Sequence, residues 1–163
     1  MPDLKTQLLQ IQQKIQTKIA DAMKNEVADV VREKEQEAVR EEVFDKYPDP
    51  VKYIRRSVGG LDDPHNMVSN TQLRLDGSVL LTVENVTMSN PNYLPDDKEP
   101  FKIAGVIEYG HGWNGYVYDY PRKGEAYMRG RPFIKNTIER LKSDSEIVEA
   151  FKKGLRRNGL NVK

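Results

Sequence analysis

A stripe of apolar residues at steps of three and four runs through the first thirty residues and constrains the fold more than any other feature. The stripe consists of Leu4, Leu8, Ile11, Ile15, Ile19, Met23, Val27 and Val30. This period places the residues on one face of an amphipathic helix, predicted from about Leu4 to Phe44. A helix of about forty residues is about 60 Å long, more than a small domain covers. We therefore expect its first half to contact another subunit or to project.

The composition indicates a small hydrophobic core and an uneven charge distribution. Apolar residues make up 37% of the 163 positions, against the ~45–50% that is usual for globular domains. The net charge is only +1, but Arg122 to Lys163 carry twelve basic and five acidic residues, a net +7, whereas Met1 to Asp49 carry eight and eleven, a net −3. Opposite charges at the two ends favour contact between neighbouring copies as much as contact with a nucleic acid, although a basic helix can also simply be solvated.

Residues for catalysis or metal binding are scarce. The chain has no cysteine, which excludes disulfides, thiolate metal sites and a cysteine nucleophile. Glu108 and His111 are three positions apart, but Gly110 between them favours the end of a helix over a shared helical face. The sequence contains no phosphate loop, nucleophile elbow or dinucleotide fingerprint, and no apolar run approaches the ~20 residues of a membrane span. We predict that the protein is not an enzyme, holds no metal or cofactor and has no membrane partner.

Prolines and glycines end the long helix and start a crossover. The prolines of YPDPVKY, residues 47–53, disfavour helical geometry at the residues before them, and the pair Gly59–Gly60 permits the backbone to turn sharply. We expect an ordered crossover from Asp49 to Pro64. The chain thus divides into a long helix, residues 1–48, which partly serves contacts with other chains, and a small α+β domain, residues 49–163.

The stretch from Met67 to Asn90 is the clearest strand signal. Asp76–Gly77 is typical of a two-residue type I′ turn between alternating apolar positions, with Leu80 as the exception. The alternating residues are Leu73, Leu75, Val79, Leu81 and Val83. An isolated hairpin is marginally stable, so one of its faces should pack on the long helix. The sequence therefore predicts an α+β fold, with a long N-terminal helix packed on a small antiparallel sheet and with C-terminal helices.

Two loops and a short helix are predicted after the hairpin. The proline-rich stretch from Asn90 to Pro100 is typical of an exposed acidic loop. From Phe101 to Gly110 a short helix closed by Gly110 competes with a strand, and the helix is preferred. The segment that follows, up to Gly130, contains the single tryptophan and several tyrosines between glycines, which indicates a long mobile loop, with a strand over residues 116–120 as an alternative.

Two amphipathic helices are predicted near the C-terminus. Pro132 suits the first helical position, because its missing N–H costs nothing there. The predicted buried face of this helix comprises Phe133, Ile134, Thr137, Ile138 and Leu141, and Phe133 should pack on the long helix and the hairpin. Ser143–Glu146 has the spacing of a capping box for a final helix that closes near Gly159.

A nucleic-acid-binding accessory protein is the alternative function. The C-terminal third is rich in basic residues, and the tyrosines between residues 116 and 127 could stack on bases. The basic residues are Arg129, Arg131, Lys135, Arg140, Lys142, Lys152, Lys153, Arg156 and Arg157. Glutamates are interleaved on the same helices, which disfavours a sequence-specific reader. We expect these basic residues to contact protein and to touch DNA only without sequence preference.

The order of the motifs resembles that of the tail-completion or neck proteins of long-tailed bacteriophages, minor structural proteins that join head and tail. The motifs are YIRR at residues 53–56, GGL at 59–61, the hairpin, VIEYG at 106–110 and RGRPF at 129–133, followed by a terminal helix. The resemblance covers about residues 27–155. It implies an α+β virion protein without enzymatic activity.

This resemblance also implies a place and partners. The protein would assemble as a ring between the head connector and the tail tube, after passing through the host cytoplasm. Its partners would be other copies of itself, a head-connector or head-closure protein and a tail-terminator or tail-tube protein, with non-specific contact to DNA in the channel. The predicted partner or oligomer interface comprises Leu4, Leu8, Ile11, Ile15, Ile19, Trp113, Tyr116, Tyr118, Arg129 and Arg131. The predicted structural motif residues are Tyr53, Arg55, Arg56, Gly59, Gly60, Glu108, Gly110, Pro132 and Phe133.

Overall fold

The computed structural model describes residues 3–46, 55–56, 58–94, 96, 99–110 and 130–162, and these residues form an α+β fold. A long N-terminal helix is followed by a two-stranded antiparallel sheet and by C-terminal helices, so the predicted fold class is confirmed. Unit 1 comprises Met1–Arg32, Ser69–Val83 and Ser143–Lys163, and unit 2 comprises Glu33–Val68 and Glu84–Lys142. Each unit groups stretches that are separate in the chain but pack together. The predicted division instead cuts the chain once, after residue 48. No helix in the described ranges is long and apolar enough to cross a membrane.

The long helix is continuous, as predicted, but it contains two π-helical segments that the sequence analysis did not predict. Helix α1 spans Leu4–Ala22 and helix α2 spans Ala28–Val39, and the π-helical segments are Met23–Val27 and Arg40–Asp45. The hydrogen bonds of a π turn join residues five apart instead of four. This spacing fits the buried pair Ala22 and Val27, which are five positions apart.

The hairpin of the sheet packs on the long helix, as predicted. Strand β1 spans Met67–Leu73 and strand β2 spans Val79–Asn85. Within unit 1, Gln16 Nε2 donates to the carbonyl of Gly77 at 3.2 Å, and the hydroxyl of Ser69 donates to the carbonyl of Lys24 at 3.3 Å. The hairpin therefore follows the long helix over about two turns.

The turn of the hairpin is a three-residue loop, so the predicted two-residue type I′ turn is wrong. The N–H of Gly77 donates to the carbonyl of Arg74 at 3.0 Å, and the N–H of Arg74 donates to the carbonyl of Ser78 at 2.9 Å. Gly77 has a φ of +85°, which is the left-handed residue that a loop of this kind requires. Asp76 accepts from the N–H of Ser78 at 2.9 Å. Leu75 consequently lies in the loop, fully exposed, and not in a strand.

The core of unit 2 forms around Phe133, which is fully buried. Helix α3 spans Ala104–Tyr109 and helix α4 spans Phe133–Ser143. The core cluster consists of Ala38, Val39, Val43, Leu61, Ala104 and Phe133, with Phe44, Ile103 and Ile107 packed against it. The predicted packing of Phe133 on the long helix is confirmed, whereas this cluster contains no residue of either strand. The predicted short helix before Gly110 is also confirmed.

Helix α4 begins one residue later than predicted, and its buried face is narrower. Pro132 immediately precedes the first helical residue. Phe133 and Thr137 are buried, but Ile134 and Ile138 are exposed, so their predicted burial is wrong. Residues four apart share a helix face, and the hydroxyl of Thr137 is satisfied by the carbonyl of Phe133 at 2.7 Å.

Helix α5 spans Glu146–Arg157 and starts without the predicted capping box. Ser143 still belongs to α4, and the carboxylate of Asp144 accepts from the N–H of Glu146 at 2.8 Å instead. The predicted end near Gly159 is confirmed. The N–H of Leu160 donates to the carbonyl of Leu155 at 2.9 Å, and Gly159 has a φ of +73°, which together form a Schellman-type cap.

Helix α5 crosses α1 in unit 1 in the antiparallel direction. Gly154 lies against Ala22, and a Cβ added at Gly154 would stand only 2.6 Å from the Cβ of Ala22. Four residues later along α5, Asn158 Nδ2 donates to Asp21 at 2.8 Å, and a Cβ at Gly159 would stand 3.9 Å from the amino group of Lys18. The two backbones approach closely at a site that has no room for a side chain.

We expect Gly154→Val to destabilise the protein by about 1–3 kcal/mol, because it overpacks the crossing of α5 and α1. Urea unfolding followed by circular dichroism measures this change. Lys153→Val is the matched control, since it introduces the same β-branched residue at an exposed position of the same helix. Equal effects of the two substitutions would show that the crossing tolerates a larger side chain.

Replacing Phe133 by Ala should lower the free energy of unfolding by roughly 3–5 kcal/mol, the cost of removing a fully buried aromatic side chain. Ile134→Ala, at the exposed neighbouring position, should cost much less. Differential scanning calorimetry compares the thermal midpoints. An unchanged midpoint for the Phe133 variant would contradict a core role for this residue.

Candidate assembly surface

The N-terminal half of α1 exposes a continuous apolar face. Leu4, Leu8, Ile11 and Ile15 are 72%, 59%, 54% and 42% exposed, and they follow one another at steps of four, three and four. The predicted interface residue Ile19 is only partly exposed. Because large aliphatic side chains in such a row are costly to leave in water, this face is a candidate for contact with another protein. We call these four residues the α1 face.

Neutral and basic side chains surround the α1 face. From Leu4 to Ala20 the helix contains Lys5, Lys14 and Lys18 and no aspartate or glutamate. Five glutamines occupy much of the remaining surface, at Gln7, Gln10, Gln12, Gln13 and Gln16. Asp3 caps the helix by accepting from the N–H of Thr6 at 2.7 Å. A polar surround without carboxylates is suited to packing on another helix.

The covered part of the same helix begins one turn after the α1 face. Arg157 of α5 pairs with Asp21 and with Glu26, the latter at 2.6 Å. The hydrogen bond from Asn158 and the pairing with Arg157 lower the pKa of Asp21. Helix α5 is thus held to the second half of α1, which leaves Leu4 to Ile15 beyond its reach.

Two of the predicted basic contact residues are neutralised within the chain. Arg157 is paired in unit 1, as described above, and Arg140 in unit 2 contacts the carboxylates of Glu37, at 3.3 Å, and Glu41. Hydrogen bonding to Glu41 raises the pKa of Arg140. These pairs place carboxylates of the long helix beside the basic C-terminal helices. They reduce the positive charge that would be available for a phosphate backbone.

The motifs VIEYG and RGRPF meet at the start of α4. Glu108 is buried, and its carboxylate accepts from the N–H groups of Ile134 at 2.7 Å and Lys135 at 3.1 Å. A carboxylate at this position satisfies free N–H groups and interacts favourably with the helix dipole. Gly130 is needed for close approach, because a Cβ there would stand 2.8 Å from the carbonyl oxygen of Glu108. Glu108 therefore has a structural role.

The neighbouring residues of these two motifs are structural as well. Gly110 ends α3 with a φ of +76°. The N–H of Arg131 donates to the carbonyl of Ile107 at 2.8 Å. Arg131, predicted at an interface, is 9% exposed, so it contributes little to the surface of unit 2.

The two arginines of YIRR and the GGL motif also hold unit 2 together. Arg55 donates to the carbonyl of Phe44 at 3.1 Å and lies over its ring at 4.7 Å, and Arg56 donates to the carbonyl of Met88. Gly59 has a φ of +69°, and a Cβ at Gly60 would stand 2.1 Å from the carbonyl oxygen of Arg56. The GGL turn therefore requires glycine at both positions.

A buried polar network in unit 2 was not found by the sequence analysis. Glu35 is buried, and its carboxylate accepts from Asn85 Nδ2 at 2.9 Å. The side-chain oxygen of Asn85 accepts from the N–H of Thr87 at 3.1 Å and from its hydroxyl at 2.6 Å. Burial raises the pKa of Glu35, and the hydrogen bond from Asn85 opposes this shift. The available signal was the position of Glu35, four residues before the core residue Val39 on the same helix face.

The loop from Gly59 to His65 is arranged around Asp63. The carboxylate of Asp63 accepts from the N–H of Gly59 at 2.6 Å and from the N–H and Nδ1 of His65, both at 2.9 Å. These bonds, the one from Gly59 above all, lower the pKa of Asp63 to about 2. His65 therefore has a structural partner. Among the described residues, no three His, Asp or Glu side chains lie together in a way that could hold a metal ion.

Some predicted site residues lie outside the described residues. They are Tyr53, Trp113, Tyr116, Tyr118 and Arg129. The same holds for the predicted aromatic loop and the alternative strand over residues 116–120. Their assignment to an interface or a motif stays a prediction. The structure brings together the four residues of the α1 face on one surface and, separately, the described motif residues inside unit 2.

Comparison with known proteins gives a family and a relative. A family model described as YomN matches residues 7–157. The chain is 34% identical over 112 residues to the SPbeta prophage-derived uncharacterized protein YomN of Bacillus subtilis (strain 168), an alignment that covers 68% of this chain and 73% of that protein. No solved structure matches the chain. The range matched by the family model includes most of α1 and all of α5.

We expect Glu35→Gln to stabilise the protein at neutral and alkaline pH. An acid whose pKa is raised by folding contributes stability that is present below its unfolded pKa and is lost as the pH rises through the folded pKa. The glutamine keeps the acceptor for Asn85 but cannot ionise. Urea unfolding at pH 4 and pH 8 should show a smaller loss of stability on raising the pH than the wild type shows. Glu33→Gln, exposed on the same helix, is the control, and identical pH dependence in all three proteins would contradict this role of Glu35.

Proposed function

This chain belongs to the YomN family, and we propose that it is a structural protein of a phage particle, without enzymatic activity, that acts by associating with other protein chains at the head–tail junction. The observation that carries the proposal is the α1 face. Its four large aliphatic residues are exposed on a well-formed helix, and an isolated amphipathic helix needs a covered apolar face to be stable in water. A protein built to assemble accounts for that exposure.

Two further observations support an assembly role. The order of the sequence motifs resembles that of phage neck and tail-completion proteins, and the relative in Bacillus subtilis is described as prophage-derived. The described motif residues serve the interior of unit 2, where Glu108 caps α4 and Gly60 fits under Arg56. Such residues preserve a subunit fold, which leaves exposed surfaces such as the α1 face to make contacts.

The proposed assembly is a ring between the head connector and the tail tube. Its contacts would join copies of this chain, a head-connector or head-closure protein on one side, and a tail-terminator or tail-tube protein on the other. A ring subunit covers apolar surface against its neighbours, which agrees with a 37% apolar composition. DNA in the channel would be touched without sequence preference.

Nucleic-acid binding as the main function is the alternative, and the net charge of the C-terminal third favours it. Against it, Arg140 and Arg157 are paired with carboxylates of the same chain. The two functions differ in their salt dependence. A protein that binds phosphates loses affinity steeply as salt rises, whereas contacts through the α1 face depend on apolar surface.

Deleting the gene from the phage or prophage that encodes this chain should yield DNA-filled heads and separate tails, because the joining part is absent. Electron microscopy of lysates scores the particles, and mass spectrometry of purified wild-type virions should detect the chain. Complementation with Gln10→Glu, a charge on the side of α1 opposite the α1 face, should restore joined particles, whereas Leu8→Glu should not.

Two outcomes would contradict the proposal. Intact, infectious particles made without the chain would remove the head–tail role. If the particles were normal and the purified chain retained duplex DNA at low salt and released it at high salt, the nucleic-acid alternative would be correct.

A further inference from the structure

We propose that, in the free protein, the α1 face is covered by the α1 face of a second copy, with the two α1 helices antiparallel. This inference rests on the α1 face, as the proposed function does, and it names what covers that face before the protein meets any other part of a particle. It requires only unit 1 and would hold whatever assembly the chain later joins. Three observations carry it: the way α5 covers α1, the spacing of the apolar residues, and the charges beside them.

The first observation is that an antiparallel helix already covers the neighbouring part of α1. Helix α5 contacts α1 at Ala22, where Gly154 permits close approach, and Asn158 reaches Asp21. The coverage ends near Lys18, next to Gly159. An antiparallel α1 from a second copy runs in the same direction as α5 and lies on the next section of the helix. Together, α5 and the second copy would cover α1 from Leu4 to the π-helical segment at Met23–Val27.

The second observation is the spacing of the α1 face, which is symmetric about its centre. The steps from Leu4 to Leu8, Ile11 and Ile15 are four, three and four, which is the alternation of a coiled-coil seam. In an antiparallel pair with a twofold axis near the middle of this stretch, Leu4 lies opposite Ile15 of the second copy and Leu8 lies opposite Ile11. Each residue of the α1 face then meets another residue of the α1 face, whereas Leu9, which is 51% exposed, lies outside the pairing. A twofold interface of this kind is self-complementary by construction.

The third observation is that the flanking charges are compatible with this register. Lys5 lies beside Gln12 of the second copy and Lys14 lies beside Gln7, so each ammonium group faces a neutral amide. No carboxylate between Leu4 and Ala20 is left opposite an apolar residue. Specificity between helices depends on avoiding opposed like charges as well as on attraction. The antiparallel pair therefore has no electrostatic penalty in its flanks.

Charge exchange across the seam tests the orientation of the two helices. Size-exclusion chromatography with light scattering should give twice the chain mass of 18.8 kDa for the wild type. Leu8→Lys and Ile11→Glu should each give monomers, because each places a charge in the seam. The double variant Leu8→Lys/Ile11→Glu should recover the dimer, because in the antiparallel register the introduced lysine faces the introduced glutamate of the second copy. Gln10→Glu, on the opposite side of α1, should leave the dimer intact.

Disulfide trapping gives an independent measurement that does not depend on charge. The chain contains no cysteine, so introduced thiols are the ones that react. Leu4→Cys/Ile15→Cys should form a covalent dimer under mild oxidation, and each single variant should not, because Leu4 is about 16 Å from its own counterpart in an antiparallel pair. Circular dichroism on every variant verifies that the helices are retained.

Several results would overturn the inference. A monomeric wild type at 100 µM would do so, and so would a double charge variant that stays monomeric while folded. Covalent dimers of Leu4→Cys alone would indicate parallel helices. The wild type could also form a larger oligomer that each single charge variant disperses. If the double variant did not restore that oligomer, the α1 face would pack against a different surface. Because the particle phenotype of a gene deletion does not depend on these results, the pairing and the head–tail role can fail separately.

Discussion

Covering one face of a helix of about forty residues is the constraint on which the rest of the structure depends. Helix α5 covers the part around Ala22, and the core of unit 2 covers Ala38, Val39 and Val43. In the two π-helical segments, residues five positions apart lie on the same side of the helix. Ala22 and Val27, for example, both lie on the covered side. Neither α5 nor the core of unit 2 reaches the N-terminal turns of the helix. The four residues of the α1 face therefore remain exposed.

Polar groups inside unit 2 are satisfied by a small number of well-placed partners, and these partners include the most recognisable sequence motifs. The carboxylate of Glu108 caps α4, Arg55 caps the end of the long helix, and Asp63 arranges the loop that begins at Gly59. A buried donor or acceptor without a partner costs more than a typical hydrogen bond contributes, so these residues are needed for the fold.

The surfaces whose residues are not needed for the fold are therefore the candidates for function. The distribution of charge first suggested contacts with an acidic neighbour or with DNA, but Arg140 and Arg157 already have carboxylate partners from the long helix of the same chain. Exposed surface ion pairs contribute little to stability. Their main consequence here is that Arg140 and Arg157 are less available to bind an external anion. The apolar residues of the α1 face remain exposed in the described part of the chain. The α1 face is therefore the surface that association would cover.

The amino-acid sequence by itself determined the elements that depend on local pattern. The 3.6-residue period specified the long helix, the Gly77 turn specified a hairpin, and Gly110 and Gly159 specified helix ends, because each of these depends on residues close together in the chain. Only the tertiary structure decided which groups share an environment. It showed that Ile138 is exposed, that Glu35 is buried beside Asn85, and that Gly154 lies against Ala22. Burial, close approach and hydrogen bonding between residues fifty or more positions apart depend on how the elements pack, and a local pattern of side chains carries no record of that packing.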